Sequence, residues 1–298
     1  MASLWARAPA ISTLASSSTF CAAKSSAPIS LKSKNYRLVD HHQVLRTVQQ
    51  ALTDNDLDLE SLRVRAQWTV HGERAHFSIL FPQEERFTMD VTNKEDQMCF
   101  RIEVFNSVDG SCRLMAVAGW LRFVCSNGLI IGTALVQLQQ QHRQQLEVQE
   151  LSRLVGEAVE SAQTDKARFA QWRSIRVDRR VLVRWVDEEV RAHWGVKAAV
   201  RVLAIARDGW DVEPVGGVAN KRPSQIGTKR IGVVPGVDCP VIDLFGISQV
   251  LSWIAGQRTG IAEDFEWRGQ VQDLVEKLMS NDQSSNPGSV PNSNPLGA

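Results

Sequence analysis

The residues that could carry chemistry in this sequence are mostly basic, and they are concentrated between residues 166 and 207. Eleven Lys or Arg and four acids lie there, a net charge of +7, with Phe169, Trp172, Trp185 and Trp194 between them. Cations neutralise phosphates and aromatic rings stack on bases, so this mixture is typical of proteins that bind single-stranded nucleic acid. The alternative is an amphipathic helix with a solvated basic face, and for the tryptophans we expect that alternative, with the rings in the core.

Two further places supply cations or anion-binding geometry. Asn127-Gly128 suits a turn from strand to helix, whose first amides would face an anion beside Arg122. The alternative is that these side chains only tie the turn to the sheet. A Gly/Pro-rich stretch further on carries four more cations. The candidate nucleic-acid-binding residues are therefore Arg122, Asn127, Arg173, Arg176, Arg179, Arg180, Lys221, Arg222, Lys229 and Arg230.

Evidence for catalysis is thinner. A metal-dependent enzyme would need carboxylates close together, and the candidates are Asp90, Glu103 and Asp109 on neighbouring predicted strands. Two-metal sites hold their ions about 4 Å apart, so carboxylates more than about 10 Å apart would exclude this site. His71 and His76 flank a predicted hairpin turn, where we expect solvated side chains rather than a metal site. No catalytic residue is assigned, and no pattern indicates a cofactor or a metal.

Composition excludes several classes of protein. The chain has 298 residues, 43% of them hydrophobic and 22% charged, which is an ordinary globular mixture. A net charge of +1 excludes a protein that is basic throughout. No apolar run is long enough for a membrane helix, so we expect no membrane partner. Five cysteines without paired spacing do not indicate a disulfide framework.

The elements that must position these residues change character midway along the chain. Apolar residues first recur at helical spacing, then alternate with polar ones, and after Gly132 return to helical spacing. The pattern predicts a helix over 41–52, strands over 62–70, 75–81, 98–105 and 112–118, and helices over 135–162, 169–206, 247–254 and 265–278. The expected fold is α+β: an N-terminal helix and antiparallel β-meander followed by a helical C-terminal half.

Composition also sets the expected boundaries. Residues 1–30 contain ten Ser or Thr and no acid, which faintly imitates an organelle transit peptide but fits an overlong predicted start or a flexible tail better. The final stretch is rich in Ser, Asn, Pro and Gly, which favours disorder. The expected organisation is a disordered leader over 1–35, one domain over 36–279 (sheet-rich 36–133, helix-rich 134–279 with an irregular loop over 214–240) and a disordered tail over 280–298.

Two sequence blocks resemble a known bacterial family. Residues 105–111 read Phe-Asn-Ser-Val-Asp-Gly-Ser, and residues 119–129 read Gly-Trp-Leu-Arg-Phe-Val-Cys-Ser-Asn-Gly-Leu. Together they resemble the phage/plasmid-like proteins catalogued as domain of unknown function 932. Residues 247–258 and 34–37 resemble further elements of that family, so the likeness spans roughly residues 34 to 279. Val108 departs from the family, which commonly has His there, and this weakens any chemical role for that turn.

The resemblance implies a context more than an activity. It implies a gene carried by plasmids, prophages or integrated elements, a bacterial cytoplasmic location, and no organelle address for residues 1–35. Our first hypothesis is a protein that binds single-stranded DNA and aids annealing or recombination. The partners considered are single-stranded DNA and further copies of the chain in a homo-oligomer. The alternatives are a protein-interaction module that interferes with host defence and a metal-dependent nucleic-acid enzyme.

Overall fold

The structure, a computed structural model, describes residues 2–7, 34–90, 97–122, 136–142, 147–218, 220–258 and 261–285. It contains two compact units, Met1–Arg168 and Phe169–Ala298. The single domain expected over 36–279 stays a prediction, since compactness alone does not decide whether two units fold independently.

One antiparallel sheet organises the first unit. Its strands are β1 (Ala2–Arg7), β2 (Arg63–Trp68), β3 (Arg74–Leu80), β4 (Thr88–Asp90), β5 (Gln97–Ser107), β6 (Leu114–Arg122) and β7 (Val136–Gln140). They lie in the order β1-β2-β3-β5-β6-β7, and the short β4 pairs with β5. Apart from β4, strands that follow one another in the sequence are neighbours in the sheet, so the architecture is the meander that the alternation predicts.

The apolar face of this sheet forms the core of the unit. Ala66, Phe77, Val104 and Ala116 lie in one row across β2, β3, β5 and β6, and all four are buried. They share a face because residues directly opposite one another on neighbouring strands point to the same side of the sheet. Helix α1 (His41–Asp54) buries the side of the helix that carries its apolar residues.

Helices dominate the second part of the chain. They are α2 (Glu150–Ser174), inside which the division between the units falls, α3 (Arg179–Trp185), α4 (Arg191–Asp208), α5 (Leu244–Gly256) and α6 (Ile261–Ser285). A π-turn over Val186–Val190 joins α3 to α4, and α4 is broken at Gly195, whose φ is 81°. A two-stranded ribbon, β8 (Trp210–Val215) with β9 (Gly227–Val233), completes the second unit. None of the described helices is long and apolar enough to cross a bilayer.

The α+β class and the order of its parts are confirmed, but two predicted elements were wrong. Val136–Gln140 is strand β7 rather than the start of a helix, because it completes the ladder along β6. The irregular loop predicted over 214–240 contains β9, which pairs with β8.

The predicted ends of the ordered body also shift. Ala2–Arg7 pairs with β2 instead of lying in an unstructured leader, because β2 offers an edge whose backbone groups need partners. Helix α6 continues to Ser285, past the predicted start of the tail at residue 280. The remainder of the predicted leader, over 8–33, and of the predicted tail, over 286–298, lies outside the described residues.

Candidate nucleic-acid interface

Three exposed arginines lie close together in the sequence of the second unit, within one stretch of five residues. Arg176, Arg179 and Arg180 are all exposed, and we call them the arginine segment. The backbone beneath them is fixed on both sides. The Val177 amide donates to the Ile242 carbonyl at 3.0 Å, and the Asp178 carboxylate caps α3 by accepting from the Arg180 amide at 2.7 Å. A fixed backbone therefore presents three exposed guanidinium groups.

The charge of the arginine segment is not neutralised locally. Within the described chain, no acidic side chain lies at ion-pair distance from any of the three guanidinium groups. Arg179 and Arg180 also occupy the first turn of α3, which contains no acidic residue. The positive end of the helix dipole disfavours cations there, typically by about 0.3–1 kcal/mol each. The Asp178 carboxylate at the N-cap offsets part of this cost.

Arg173 is in a different environment from the arginine segment. It is half-buried, and its guanidinium carbon lies 4.4 Å from the centre of the Phe245 ring. Packing against an aromatic face is a structural role for a cation. The structure therefore separates Arg173 from the other three arginines predicted with it.

The tryptophans interleaved with these cations are buried, which confirms the core interpretation. Trp172, Trp185 and Trp194 have exposed fractions of 1%, 0% and 6%. Trp194 stacks on Trp267 with ring centres 4.7 Å apart, and its indole N–H donates to Gln270 at 2.7 Å. These rings are consequently not available as platforms for bases.

The four cations predicted further along the second unit lie on or beside the ribbon. Lys221 and Lys229 are exposed. Arg222 is also exposed, with Nε 3.8 Å from an Asp187 carboxylate oxygen in the π-turn that follows α3. Arg230 lies 4.7 Å from the centre of the Trp210 ring. The Arg222–Asp187 contact thus places part of this group next to the helix that begins with the arginine segment.

The two candidates in the first unit are only partly described. Arg122 is the last residue of β6, opposite Met98 of β5, and its side chain is not among those described. Asn127 lies outside the described residues. Their roles stay predictions.

The carboxylates considered for a metal site do not converge. Asp90 pairs with Gln97 at one end of β5, and Glu103 lies six residues further along that strand, about 20 Å away at the usual rise of a strand. Asp109 lies beyond the other end of β5. The metal site suggested for these three residues is therefore wrong, and the described residues contain no other cluster of His, Cys, Asp and Glu suited to a metal.

Glu103 instead belongs to a buried polar row that sequence reasoning missed. One of its oxygens lies 3.0 Å from Arg101 Nη2 and 3.1 Å from His76 Nε2. His76 stacks on Phe105 with ring centres 4.0 Å apart. The side chains point away from the apolar face described above, so alternation could have assigned the face. It could not have predicted that Arg101 and Glu103 would be more than nine-tenths buried.

In the first sequence block, residues 105–111, the side chain of Asn106 connects strand β5 to the start of helix α1. This side chain is fully buried, and its Nδ2 donates to the Val39 carbonyl and to His41 Nδ1, both at 2.9 Å. Since Nδ1 accepts, His41 carries its proton on Nε2, which donates to the Gly72 carbonyl at 2.9 Å. Burial lowers the pKa of His41, which favours this neutral form.

The rest of that block shapes its own turn. The Tyr36 hydroxyl shares its one proton between the carbonyls of Ser107 and Val108, at 3.3 and 3.2 Å. The Asp109 carboxylate accepts from both the amide and the hydroxyl of Ser111 at 3.0 and 2.5 Å. Asp109 is thus used in local turn geometry. The described contacts give this block a structural role, joining the N-terminal segment to the sheet.

The second block contributes a buried hydrogen bond to α2. The indole N–H of Trp120 donates to Asp165 Oδ2 at 3.1 Å, and Arg168 Nη1 donates to Oδ1 at 2.9 Å. Both Trp120 and Asp165 are fully buried. Burial raises the pKa of Asp165 to about 7, against the opposing effects of the Trp120 hydrogen bond and the Arg168 charge.

The protein is therefore an α+β protein built on an antiparallel meander. Asn106 of the first block joins the sheet to the start of α1, and Trp120 of the second block joins β6 to α2. Residues 28–210 match the family model described as Domain of unknown function (DUF932), and the chain belongs to that family. This confirms the resemblance carried by residues 105–111 and 119–129. No curated protein and no solved structure matches the chain.

Proposed function

We propose that this protein binds nucleic acid, with single-stranded DNA as the first substrate to test, through phosphate contacts made by the arginine segment. The single observation that supports the proposal is the charge of Arg176, Arg179 and Arg180, which are exposed and have no acidic partner in the described chain. A phosphodiester backbone supplies closely spaced anions to such a surface.

Lys221 and Arg222, in the segment between β8 and β9, extend the proposed surface. Arg222 lies at the π-turn after α3, and Lys221 precedes it in the chain. We therefore place phosphate contacts at both groups. Annealing or recombination is the activity that fits this proposal, since both processes need a protein that holds DNA without reading its sequence.

The buried tryptophans limit how strongly single strands should be preferred. Stacking of bases on exposed aromatic rings adds affinity for single strands, and Trp172, Trp185 and Trp194 do not offer exposed rings. The proposal accordingly depends on charge. Any preference for single strands must then arise from the flexibility of their backbone.

Fluorescence anisotropy of labelled single- and double-stranded oligonucleotides, across a salt series with the full chain, tests the proposal. Each phosphate neutralised on a single strand adds about 0.7 to the slope of log affinity against log salt. The triple variant Arg176→Glu, Arg179→Glu, Arg180→Glu should reduce that slope by about 2 and weaken binding at low salt by more than about tenfold.

A charge-matched variant makes the test specific. Lys34→Glu, Arg46→Glu, Lys197→Glu changes the net charge equally, at exposed cations outside the proposed surface. It should retain most of the binding. Equal losses in both variants would mean that net charge alone attracts the oligonucleotide, and no binding by the unmodified chain at low salt would refute the proposal.

A further inference from the structure

The first turn of α3 is capped by a carboxylate that lies among the three arginines of the arginine segment. Asp178 Oδ1 accepts from the Arg180 amide at 2.7 Å and from the Val181 amide at 3.3 Å. The Asp178 carbonyl accepts from the Leu182 amide at 2.9 Å. The backbone of Asp178 is extended, with φ −67° and ψ 137°, so the chain changes from extended to helical at this residue.

The cap determines how an anion can approach this surface. The Arg180 and Val181 amides at the start of the helix already donate to Asp178. A phosphate here therefore meets guanidinium groups rather than helix amides. The directions in which Arg179 and Arg180 leave the backbone follow from the helical geometry of this first turn. The N-cap stabilises that geometry, because it satisfies amides that have no partner inside the helix.

The remaining arginine of the segment is anchored in another way. The Val177 amide donates to the Ile242 carbonyl at 3.0 Å, and the Leu244 amide donates to the Ile175 carbonyl at 3.3 Å. These two hydrogen bonds lie on either side of Arg176 and hold its backbone against the segment before α5. Loss of the cap would therefore release two of the three arginines and leave Arg176 in place.

The charge of Asp178 opposes the benefit of its geometry. Within the described chain its carboxylate is not at ion-pair distance from the guanidinium groups of the arginine segment. It repels a phosphate bound beside it, and two like unit charges about 6 Å apart in water cost about threefold in affinity. A neutral side chain that can still cap the helix would remove this repulsion and keep the hydrogen bonds.

We infer that Asp178 is a positioning residue of the proposed nucleic-acid surface. Its cap directs Arg179 and Arg180 toward the phosphates, and its charge keeps the affinity below the value that the three arginines alone would give. The inference rests on the proposed function and adds a control of affinity at the same surface. Because the two effects have opposite signs, substitutions of Asp178 can separate them.

Fluorescence anisotropy of a labelled single-stranded oligonucleotide with the full chain measures both effects. Asp178→Asn and Asp178→Ser remove the charge and keep a capping oxygen, so they should bind about two- to fourfold more tightly than the unmodified chain at low salt. This gain should shrink as salt screens the repulsion. Asp178→Ala removes the same charge together with the cap, and it should bind at least about threefold more weakly than Asp178→Asn. A cap that is only structural would not produce the gain.

Asp40 supplies a matched control outside the proposed surface. It caps α1 in the same way, with Oδ1 accepting from the Gln43 amide at 2.7 Å. Asp40→Asn and Asp40→Ala change the net charge equally and should bind the oligonucleotide about as well as the unmodified chain and as each other. Urea unfolding of all five variants checks that each one is folded.

The outcomes distinguish this inference from the proposed function. No binding by the unmodified chain would refute the proposed function itself. If the unmodified chain binds and the Arg176→Glu, Arg179→Glu, Arg180→Glu variant does not, equal affinity of Asp178→Asn and Asp178→Ala would overturn the positioning role. An Asp178→Asn variant that binds no more tightly than the unmodified chain, or only as much more tightly as Asp40→Asn, would overturn the control of affinity by charge.

Discussion

Trp120 and Asp165 are joined by a hydrogen bond of 3.1 Å between two fully buried side chains that lie 45 residues apart. The bond attaches strand β6 to helix α2 within the first unit. Trp120 belongs to the second recognisable sequence block, whereas nothing in the sequence pattern marks Asp165. The two residues therefore show how a local motif can depend on a distant partner.

Replacing Trp120 by Phe should destabilise the protein by about 1–3 kcal/mol, because Asp165 would lose a hydrogen bond in a place that water does not reach. Trp185→Phe is a matched control, since the indole N–H of Trp185 is also fully buried but has no hydrogen-bond partner. Urea unfolding followed by circular dichroism should show the smaller loss for Trp185→Phe. Equal losses would mean that ring volume, not the hydrogen bond, accounts for the cost.

Asp165 should make stability fall as pH rises. Its folded-state pKa of about 7 lies above its ordinary value of 3.8, so between these values the folded protein holds a proton that the unfolded chain releases. The contribution is complete below about pH 4 and is lost as pH rises through 7. We expect the free energy of unfolding of the unmodified chain to decline relative to Asp165→Asn over this range. A difference independent of pH would contradict the raised pKa.

His41 should act in the opposite direction. Burial lowers its folded-state pKa below 6.5, so the neutral ring is favoured and its contribution is present above pH 6.5. As pH falls from 6.5 through the folded-state pKa, the unfolded chain takes up a proton first and stability is lost. Protonation would also direct an Nδ1–H at the amide group of Asn106. Comparing His41→Gln with its parent, both carrying Asp165→Asn, isolates this slope, which Gln should abolish.

The two polar residues of the first block should differ in their effect on stability. Asn106→Ala removes two buried hydrogen bonds and should cost about 2–4 kcal/mol. Asp109→Ala affects a largely exposed turn and should cost less than about 1 kcal/mol. Urea denaturation of the two variants measures the difference. A larger loss for Asp109→Ala would point to a role for this carboxylate that its contacts do not show.

Gly209 should resist substitution at the end of α4. Its φ is 75°, and a Cβ placed there would lie 3.2 Å from Cys239 Sγ. Gly209→Ala should cost about 1–2 kcal/mol, from the left-handed backbone together with this close contact. Adding Cys239→Ala should recover only the steric part. Full recovery in thermal unfolding would show that the backbone conformation carries no cost.

Alternation predicted strands β2, β3, β5 and β6 because one of their faces is mostly apolar. The same signal failed at β7, where Val136 and Leu138 alternate with glutamines but also suit a helix that continues into the next segment. It failed at β9 because two glycines and two cations conceal the strand. In both cases pairing with a neighbouring strand determined the outcome, and a neighbour is not visible in a short window of sequence.

The candidate site, like the fold, could be predicted from the sequence only in part. Exposed arginines could be predicted from charge alone, and Arg176, Arg179 and Arg180 are exposed as expected. The packing of Arg173 on Phe245 depends on a contact far along the chain, and the separation of Asp90 from Glu103 depends on the register between β4 and β5. Residue type indicates what a side chain can do, whereas its partners decide what it does.

The hydrogen bonds from Asn106 to Val39 and His41 have a consequence for the order of folding. Helix α1 begins at His41, but the side chain that holds Val39 and His41 is synthesised 65 or more residues later. During translation helix α1 can form before its first residues are held in place. The hydrogen bonds from Asn106 cannot form until the end of β5 has emerged from the ribosome. Contacts of such long sequence separation slow folding. Variants at Asn106 should therefore change the yield of folded protein more during synthesis than in refolding of the finished chain.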